Sequence, residues 1–142
     1  MKKNHQNLLL LLLFVFLPYL LGMSALGGTS NPEKVPIPEK KFSATFIDQY
    51  DVVTECHDVS IQGATSIEGT RGAGTFTISF AQIHSVTFQQ SGAVLKAIIK
   101  MKNGNSVELT LNKELHAYGL TSFGTYQVKL SDLKMMTDII PK

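Results

Sequence analysis

Few side chains in this sequence belong to the types that bind metals or attack substrates. After the first twenty-five residues they are one cysteine and three histidines: Cys56, His57, His84 and His116. Zinc sites use closely spaced pairs such as Cys-x2-Cys or His-x3-His. Cys56 and His57 are adjacent instead, and adjacent side chains of a strand point to opposite faces. We therefore interpret Cys56 as a small buried hydrophobe, with an intermolecular disulfide or a metal site assembled by the fold as alternatives.

Four acidic residues surround the first predicted hairpin: Asp48, Asp51, Glu55 and Asp58. Calcium takes six to eight oxygen ligands, but the Asp-x-Asp-x-Asp-Gly spacing of the known calcium loop is absent. Asp and Asn side chains often accept hydrogen bonds from the backbone of their own turn. We expect Asp48 and Asp51 to do this rather than to bind calcium.

The sequence also lacks the motifs that are typical of hydrolases and of phosphate-binding proteins. The sequence has no Gly-x-Ser-x-Gly and no His-Glu-x-x-His. The glycine-rich segment 69–74 contains Arg71, the only arginine, but no helix is predicted after it to offer its N-terminus to a phosphate. We interpret this segment as a flexible connection. The sequence thus predicts no catalytic, cofactor-binding or metal-binding residue.

The composition narrows the class of protein. A chain of 142 residues is expected to form one domain. Its single cysteine excludes an internally disulfide-stapled scaffold. A formal charge of +2 gives no reason to expect a nucleic-acid partner. A hydrophobic share of 44% with so little net charge argues against a long disordered chain.

The first residues carry an export pattern. A positive start precedes an uncharged apolar run over 8–21 and then small residues over 22–28, as in a secretory signal peptide over 1–25. The alternative is an uncleaved anchor over 8–28, because a membrane span needs about 20 mostly apolar residues. Both alternatives place the rest of the chain outside the cytoplasm, in the periplasm or the extracellular space.

An extended linker is predicted between this leader and the domain. Residues 26–41 contain Pro32, Pro36 and Pro38 among Glu and Lys residues, with no apolar period. Residues 1–25 hold two of the 13 basic residues and none of the 11 acidic ones, so the remaining chain is formally neutral. It therefore has no global field that would attract a polyanion or an anionic membrane.

Residues 42–142 are predicted to be an all-β domain. Segment 75–80 alternates so that Phe76, Ile78 and Phe80 would face inward. Two further alternating runs, 95–101 and 107–111, flank Asn103-Gly104, which predicts a hairpin with a type I′ turn. Three lysines in and directly after the first run are expected to protect a sheet edge or to lie on a solvated face, with a binding patch as the alternative: Lys96, Lys100 and Lys102.

The domain contains an internal repeat. Segment 74–83 matches segment 124–133 fifty positions later without a gap, and Gly69 matches Gly119 at the same offset. With three residues gapped, Cys56 aligns with Leu109. The repeats cover about 42–90 and 94–140, and neither could bury its apolar face alone. We therefore expect a β-sandwich or small β-barrel with pseudo-two-fold symmetry.

The second copy of the repeat resembles a known unit. Segment 118–134, with its Gly-Thr-aromatic strand and its Ser131-Asp132 turn, is similar to a unit of uncharacterised small secreted or periplasmic bacterial all-β proteins. The resemblance implies a small exported bacterial β protein, and it carries no activity or site residue. Segment 80–83 departs from the Ser-Asp turn, which weakens the match of the first copy.

These observations lead to three functional hypotheses. The first is a non-catalytic binding or scaffolding module of the bacterial cell envelope, with an envelope or extracellular protein as partner and membrane contact only through an uncleaved leader. The second is a binder of a small apolar ligand, with a cavity lined by five aromatic residues: Phe76, Phe80, Phe88, Phe123 and Tyr126. The third and least supported is a metal-dependent or hydrolytic enzyme using His84 or His116.

Overall fold

The structure is a computed structural model, and it describes residues 35–142. The predicted signal peptide or anchor and most of the predicted linker lie outside the described residues. No helix in the described part is long and apolar enough to cross a membrane. The described residues form strands joined by short turns, so the predicted all-β class is confirmed.

Ten strands and two single 3-10 turns make up this part of the chain. The strands are β1 (Phe42–Asp48), β2 (Val53–Ile61), β3 (Ser66–Arg71), β4 (Gly74–Ser79), β5 (Ile83–Ser91), β6 (Val94–Met101), β7 (Ser106–Leu111), β8 (His116–Thr121), β9 (Gly124–Lys129) and β10 (Leu133–Pro141). The 3-10 turns are Phe80–Gln82, before β5, and Leu130–Asp132, before β10.

The strands form one antiparallel sheet in the order β4-β3-β7-β6-β5-β10-β1-β2-β8-β9. β4 and β9 are its edges within the described part of the chain. The architecture is thus an open, curled half-barrel instead of the two facing sheets or the closed barrel that the sequence led us to expect. A sheet of this many twisted strands tends to curl, and the curl lets one sheet enclose its own core.

The core is built from the alternating apolar positions that the sequence marks. On β1 the buried residues are Phe42, Ala44 and Phe46, with more exposed residues between them. Phe42 packs edge-to-face on Phe80, with ring centroids 5.8 Å apart. The core's largest fully buried side chains are Phe46, Phe80, Ile67, Ile83, Leu95, Ile99, Leu109, Leu130, Leu133, Met136, Val59 and Val86. Because this face is apolar on every strand from β1 to β7 and on β10, burial fixes which face of the sheet is inside.

The hairpin between β6 and β7 forms where it is predicted, but its turn differs. Met101 donates its backbone N–H to the Asn105 oxygen at 2.7 Å, which leaves a three-residue loop over 102–104. Gly104 has φ +91, and Asn103 is not in the left-handed region. A type I′ turn needs positive φ at both central residues. The predicted type I′ turn is therefore wrong, and the loop is the three-residue kind with glycine in its left-handed position.

The segment 69–74 is also more ordered than expected. Residues 69–71 belong to β3, and Arg71 pairs directly with Gly74 at the start of β4. Gly72 takes φ +61 at the first position of the two-residue turn, as glycine does in type II′ hairpins. The interpretation as a flexible connection is wrong because this glycine closes a tight hairpin.

The lysines of β6 and of the loop that follows it are solvated and do not lie on an edge strand. β6 is an interior strand between β5 and β7, so edge protection is wrong for this strand. Lys96, Lys100 and Lys102 are exposed, and the Lys96 ammonium lies 3.1 Å from Glu108 on β7. The alternative expectation of a solvated face is confirmed.

Candidate functional site

Cys56 occupies the core position that the repeat alignment assigned to it. The residue is 5% exposed, and its thiol is free. It pairs with Ala44 on β1, as the aligned Leu109 pairs with Ala97 on β6. Its interpretation as a small buried hydrophobe is confirmed. Burial raises the pKa of its thiol from 9.0 to about 11, so the side chain is a neutral thiol at physiological pH.

This shift predicts a loss of stability at alkaline pH. A folded-state pKa of about 11 against 9.0 means that folding favours the protonated thiol. The contribution is complete below pH 9 and falls as the pH rises toward 11. We expect the urea midpoint of the wild-type chain to decline more steeply across this range than that of Cys56→Ala. Equal declines in the two proteins would contradict the prediction.

The three histidines are not brought together. His57 lies on β2 opposite Leu120 of β8, His84 is exposed on β5, and His116 begins β8. No group of three or more His, Cys, Asp or Glu residues within 35–142 is arranged to hold a metal ion. The His57 Nδ1 atom is buried without a hydrogen-bond partner and lies 3.6 Å from the Asp58 carboxylate.

The acidic residues around the turn between β1 and β2 have different partners and do not form one common site. Asp48 Oδ1 accepts hydrogen bonds from the backbone N–H groups of Tyr50 and Val52, at 2.8 and 3.0 Å, as expected. Asp51 differs from the expectation, because its carboxylate pairs with Lys134 Nζ at 2.6 Å and its φ is +61. The Asp58 carboxylate lies 3.8 Å from Lys41 Nζ.

The five aromatic residues expected to line one cavity are spread over different environments. Phe80 and Phe88 are buried in the core, and Phe76 is half exposed on the edge strand β4. Phe123 is 98% exposed at the tip of the turn between β8 and β9. Tyr126 is half buried and stacks on Phe46 at 5.8 Å. The expected shared cavity is therefore wrong, although Phe123 and Tyr126 do line a common groove.

This groove is a concave feature of the described surface. It has a volume of about 950 Å³ and lies between the first half of β2 and the turn joining β8 to β9, with the end of β10 on a third side. We call it the β2–β9 groove. Four exposed large apolar residues line it: Val52, Val53, Phe123 and Ile140. Exposed apolar residues that gather around one groove in this way are typical of interaction sites.

The groove exists because two ladders of β2 cover different parts of the strand. Residues 53–56 pair with β1, whereas pairing with β8 begins only at His57, opposite Leu120. On the β8 side, residues 53–56 therefore have no strand partner in the described structure. Successive residues of an antiparallel strand direct their backbone groups alternately to the two sides, so part of the β2 backbone faces the groove.

Polar and charged groups complete the groove. Tyr126 contributes a phenol whose pKa is raised by burial, against a smaller opposing effect of its hydrogen bond with the Thr54 side chain. Glu55 and Asp138 also line the groove. Neither carboxylate has an ion-pair partner among residues 35–142. The groove thus combines apolar side chains, a strand backbone and two carboxylates.

Sequence reasoning named Phe123 and Tyr126 as lining residues of a binding cavity but missed the other residues of this site. The signal available in the sequence is a large apolar residue, Phe123, between Ser122 and Gly124, where a turn is expected to carry polar or small residues. Val52 and Val53 add an apolar pair directly after the polar turn of Asp48 and Asp51. What no local pattern indicates is that these two segments lie beside each other.

The fold defines an all-β protein with a single curled antiparallel sheet. A family model described as "Uncharacterised protein" matches residues 38–138, and the chain belongs to that family. The resemblance to uncharacterised proteins is thereby confirmed. Neither a curated protein nor a solved structure matches the chain.

Proposed function

We propose that residues 42–142 form an exported, non-catalytic binding module of the bacterial cell envelope, and that the β2–β9 groove holds its partner. The observation that carries this proposal is the gathering of Val52, Val53, Phe123 and Ile140 around one groove while each stays largely exposed. Leaving such side chains in water forgoes about 1.5–3 kcal/mol each relative to full burial. A partner that covers them would recover part of that free energy.

We also propose that the sheet consists of two copies of one five-strand unit, over 42–90 and 94–140. If each strand is exchanged with the strand five places away in the chain, so that β1 is exchanged with β6 and β5 with β10, the strand order of the sheet is reversed. This is the behaviour of a sheet with two-fold symmetry. The registers support this: Thr121 pairs with Gly124 as Arg71 pairs with Gly74. Val86 and Met136, which align at the repeat offset, lie opposite each other where β5 meets β10, as expected on a pseudo-two-fold axis.

The two copies differ where the groove lies. Phe123 stands where the first copy has Ala73, and Val53 stands where the second has Ser106. Ile140 of β10 pairs with Ser43 of β1. In the other copy Lys96 stands at the place of Ser43, and its partner on β5 is the polar residue Gln89. Core positions are apolar in both copies, so folding accounts for what they share. The apolar groove residues occur at one end only, which supports a role in binding over a role in folding.

Export to the envelope is part of the proposal and rests on the leader. The basic start, the apolar run and the small residues that follow match a signal peptide or an anchor. A periplasm-dependent alkaline phosphatase fused after Lys142 should be active with the full chain and inactive when residues 1–25 are deleted. Equal activity of both fusions would contradict export through this leader.

Cross-linking in living cells tests the groove as the binding surface. We expect p-benzoylphenylalanine in place of Phe123 to form a discrete adduct with an envelope component, because this side chain lines the groove and is exposed. The matched control places it at Val94, which is also exposed but begins β6, directly after the turn that joins β5 to β6, and does not line the groove. Adding Val53→Ser to the Phe123 substitution should weaken the adduct. Equal labelling at both positions, or none at Phe123, would contradict the proposal.

The same experiment separates the alternative of a small apolar ligand. Such a ligand would shift the mass of the cross-linked protein by a few hundred daltons at most, whereas a protein partner gives a much larger adduct. The apolar lining of the groove favours both alternatives, but its length along β2 and its open form favour a macromolecular partner. No comparable arrangement of side chains among residues 35–142 favours the enzyme hypothesis.

A further inference from the structure

We infer that the partner of the β2–β9 groove is an extended peptide segment that carries basic and apolar side chains and pairs with residues 53–56 of β2. This inference rests on the proposed binding function and adds the chemical class of the partner. It follows from the backbone, the charge and the apolar surface of the groove, considered in turn.

The backbone of β2 offers a place for a strand. Residues 53–56 are held in extended form by their ladder with β1, from Ile47 opposite Val53 to Ala44 opposite Cys56. Their other side faces the groove, since the ladder with β8 begins at His57. Backbone N–H and C=O groups on a free strand side are a template for adding an extended chain. A preformed strand lowers the ordering cost of such pairing.

The charge of the groove selects a basic peptide. In the β6–β7 hairpin, Glu108 is neutralised by Lys96 at 3.1 Å. At the matching positions of the β1–β2 hairpin, Glu55 remains but Ser43 replaces the lysine. Glu55 therefore lines the groove without a cationic partner in the described chain, and Asp138 lines the same groove from β10. A lysine or arginine of the partner would supply the missing positive charge.

The apolar surface places a second requirement on the peptide. Phe123, Val53 and Ile140 are exposed apolar residues that line the groove from three different segments of the chain. In an extended peptide, alternate side chains point to the same side, so apolar residues at alternate positions can contact this surface. An anionic membrane surface fits less well because Glu55 and Asp138 would be repelled by its headgroups. A second copy in two-fold contact through this groove would bring the same carboxylates together.

Selection from a random peptide display library tests this inference. The bait is the protein purified after export from cells that express the full chain, and Phe123→Ser/Val53→Ser is the counter-selection bait. We expect enriched peptides to alternate apolar residues with lysine or arginine. Binding of an enriched peptide should shift backbone amide resonances of residues 53–57 and 121–126. N-methylating alternate peptide bonds should weaken binding about tenfold, because it removes the ladder hydrogen bonds.

Charge reversal provides the specificity test. Glu55→Lys should weaken binding of a basic enriched peptide about fivefold and should strengthen binding of the same peptide with its lysine changed to glutamate. Glu108→Lys is the matched control, and it should leave both affinities unchanged. Both variants are checked for an unchanged urea midpoint.

The outcomes separate this inference from the proposed function. No enrichment over the counter-selection bait, enrichment of acidic peptides, or N-methylated peptides that bind equally well would overturn the extended basic peptide. Binding of anionic phosphatidylglycerol vesicles through Phe123, or dimerisation lost in Phe123→Ser, would overturn it as well. In each of these cases a Phe123 cross-link in cells would still support the groove as a binding surface. The absence of that cross-link, or equal labelling at Phe123 and Val94, would count against the groove as the binding surface of the proposed function.

Discussion

Gly119→Ala is expected to lower the free energy of unfolding by about 1–3 kcal/mol. A Cβ atom at this position would lie 2.6 Å from the Cys56 Cβ, 3.1 Å from its sulfur and 3.3 Å from Val59. These atoms belong to a packed core on β2, so they can move only by displacing their neighbours. The measurement is the urea midpoint followed by far-UV circular dichroism, since the chain has no tryptophan.

Two other glycines provide the controls for this prediction. Gly69→Ala should cost a similar amount, because its Cβ would meet Leu109 and Leu111 at 2.8 Å. Gly74→Ala should change stability by less than about 0.5 kcal/mol, since its nearest neighbours would be at 3.6 and 3.7 Å. In the background of Gly119→Ala, Cys56→Gly should cost less than it does alone. Equal midpoints for Gly119→Ala and Gly74→Ala would contradict the close packing of β2 on β8.

Phe80→Ala is expected to have the largest effect of any single truncation considered, a loss of about 3–5 kcal/mol. The side chain is 0% exposed and packs against Phe42 across the core. Small domains have only about 5–15 kcal/mol in total, so this substitution removes a large part of it. The expected result is a strongly reduced urea midpoint, or an unfolded protein by circular dichroism.

The control uses the same residue type in the opposite environment. Phe123→Ala should leave stability within about 0.5 kcal/mol of the wild type, because this side chain is 98% exposed. Phe80→Leu keeps most of the apolar volume and should be folded and intermediate in stability. If Phe123→Ala were as destabilising as Phe80→Ala, the turn between β8 and β9 would pack against other surface, and the groove would not be open.

Much of the fold could be predicted from local patterns, because the alternation of apolar and polar residues shows which side chains face the core. Alternation of apolar and polar side chains predicted inward positions such as Ile78 and Leu109, both of which are buried. The repeat placed Cys56 beside Leu109 in the alignment, and both lie in the core. Phe76 shows the limit, because it continues the same alternation yet is half exposed on an edge strand.

The candidate site could be predicted only in fragments. The sequence places Thr125 and Tyr126 in a repeated strand and Glu55 beside a hairpin, but their proximity depends on the pairing of β2 with β8. The turn at Asn103-Gly104 gives a smaller example. The dipeptide predicted a hairpin correctly, while the loop length was decided by the register that joins Met101 to Asn105.

The sequence by itself determined that this domain is all-β and which face of most strands is buried, because a period of two in hydrophobicity is a local property. The tertiary structure decided which strands are neighbours. β2 and β3 follow each other in the chain, yet β2 pairs with β8 and β3 with β7. Backbone hydrogen bonds are the same for every sequence, so they do not choose a partner strand. Packing of the shared core makes that choice, and it also leaves residues 53–56 facing an open groove.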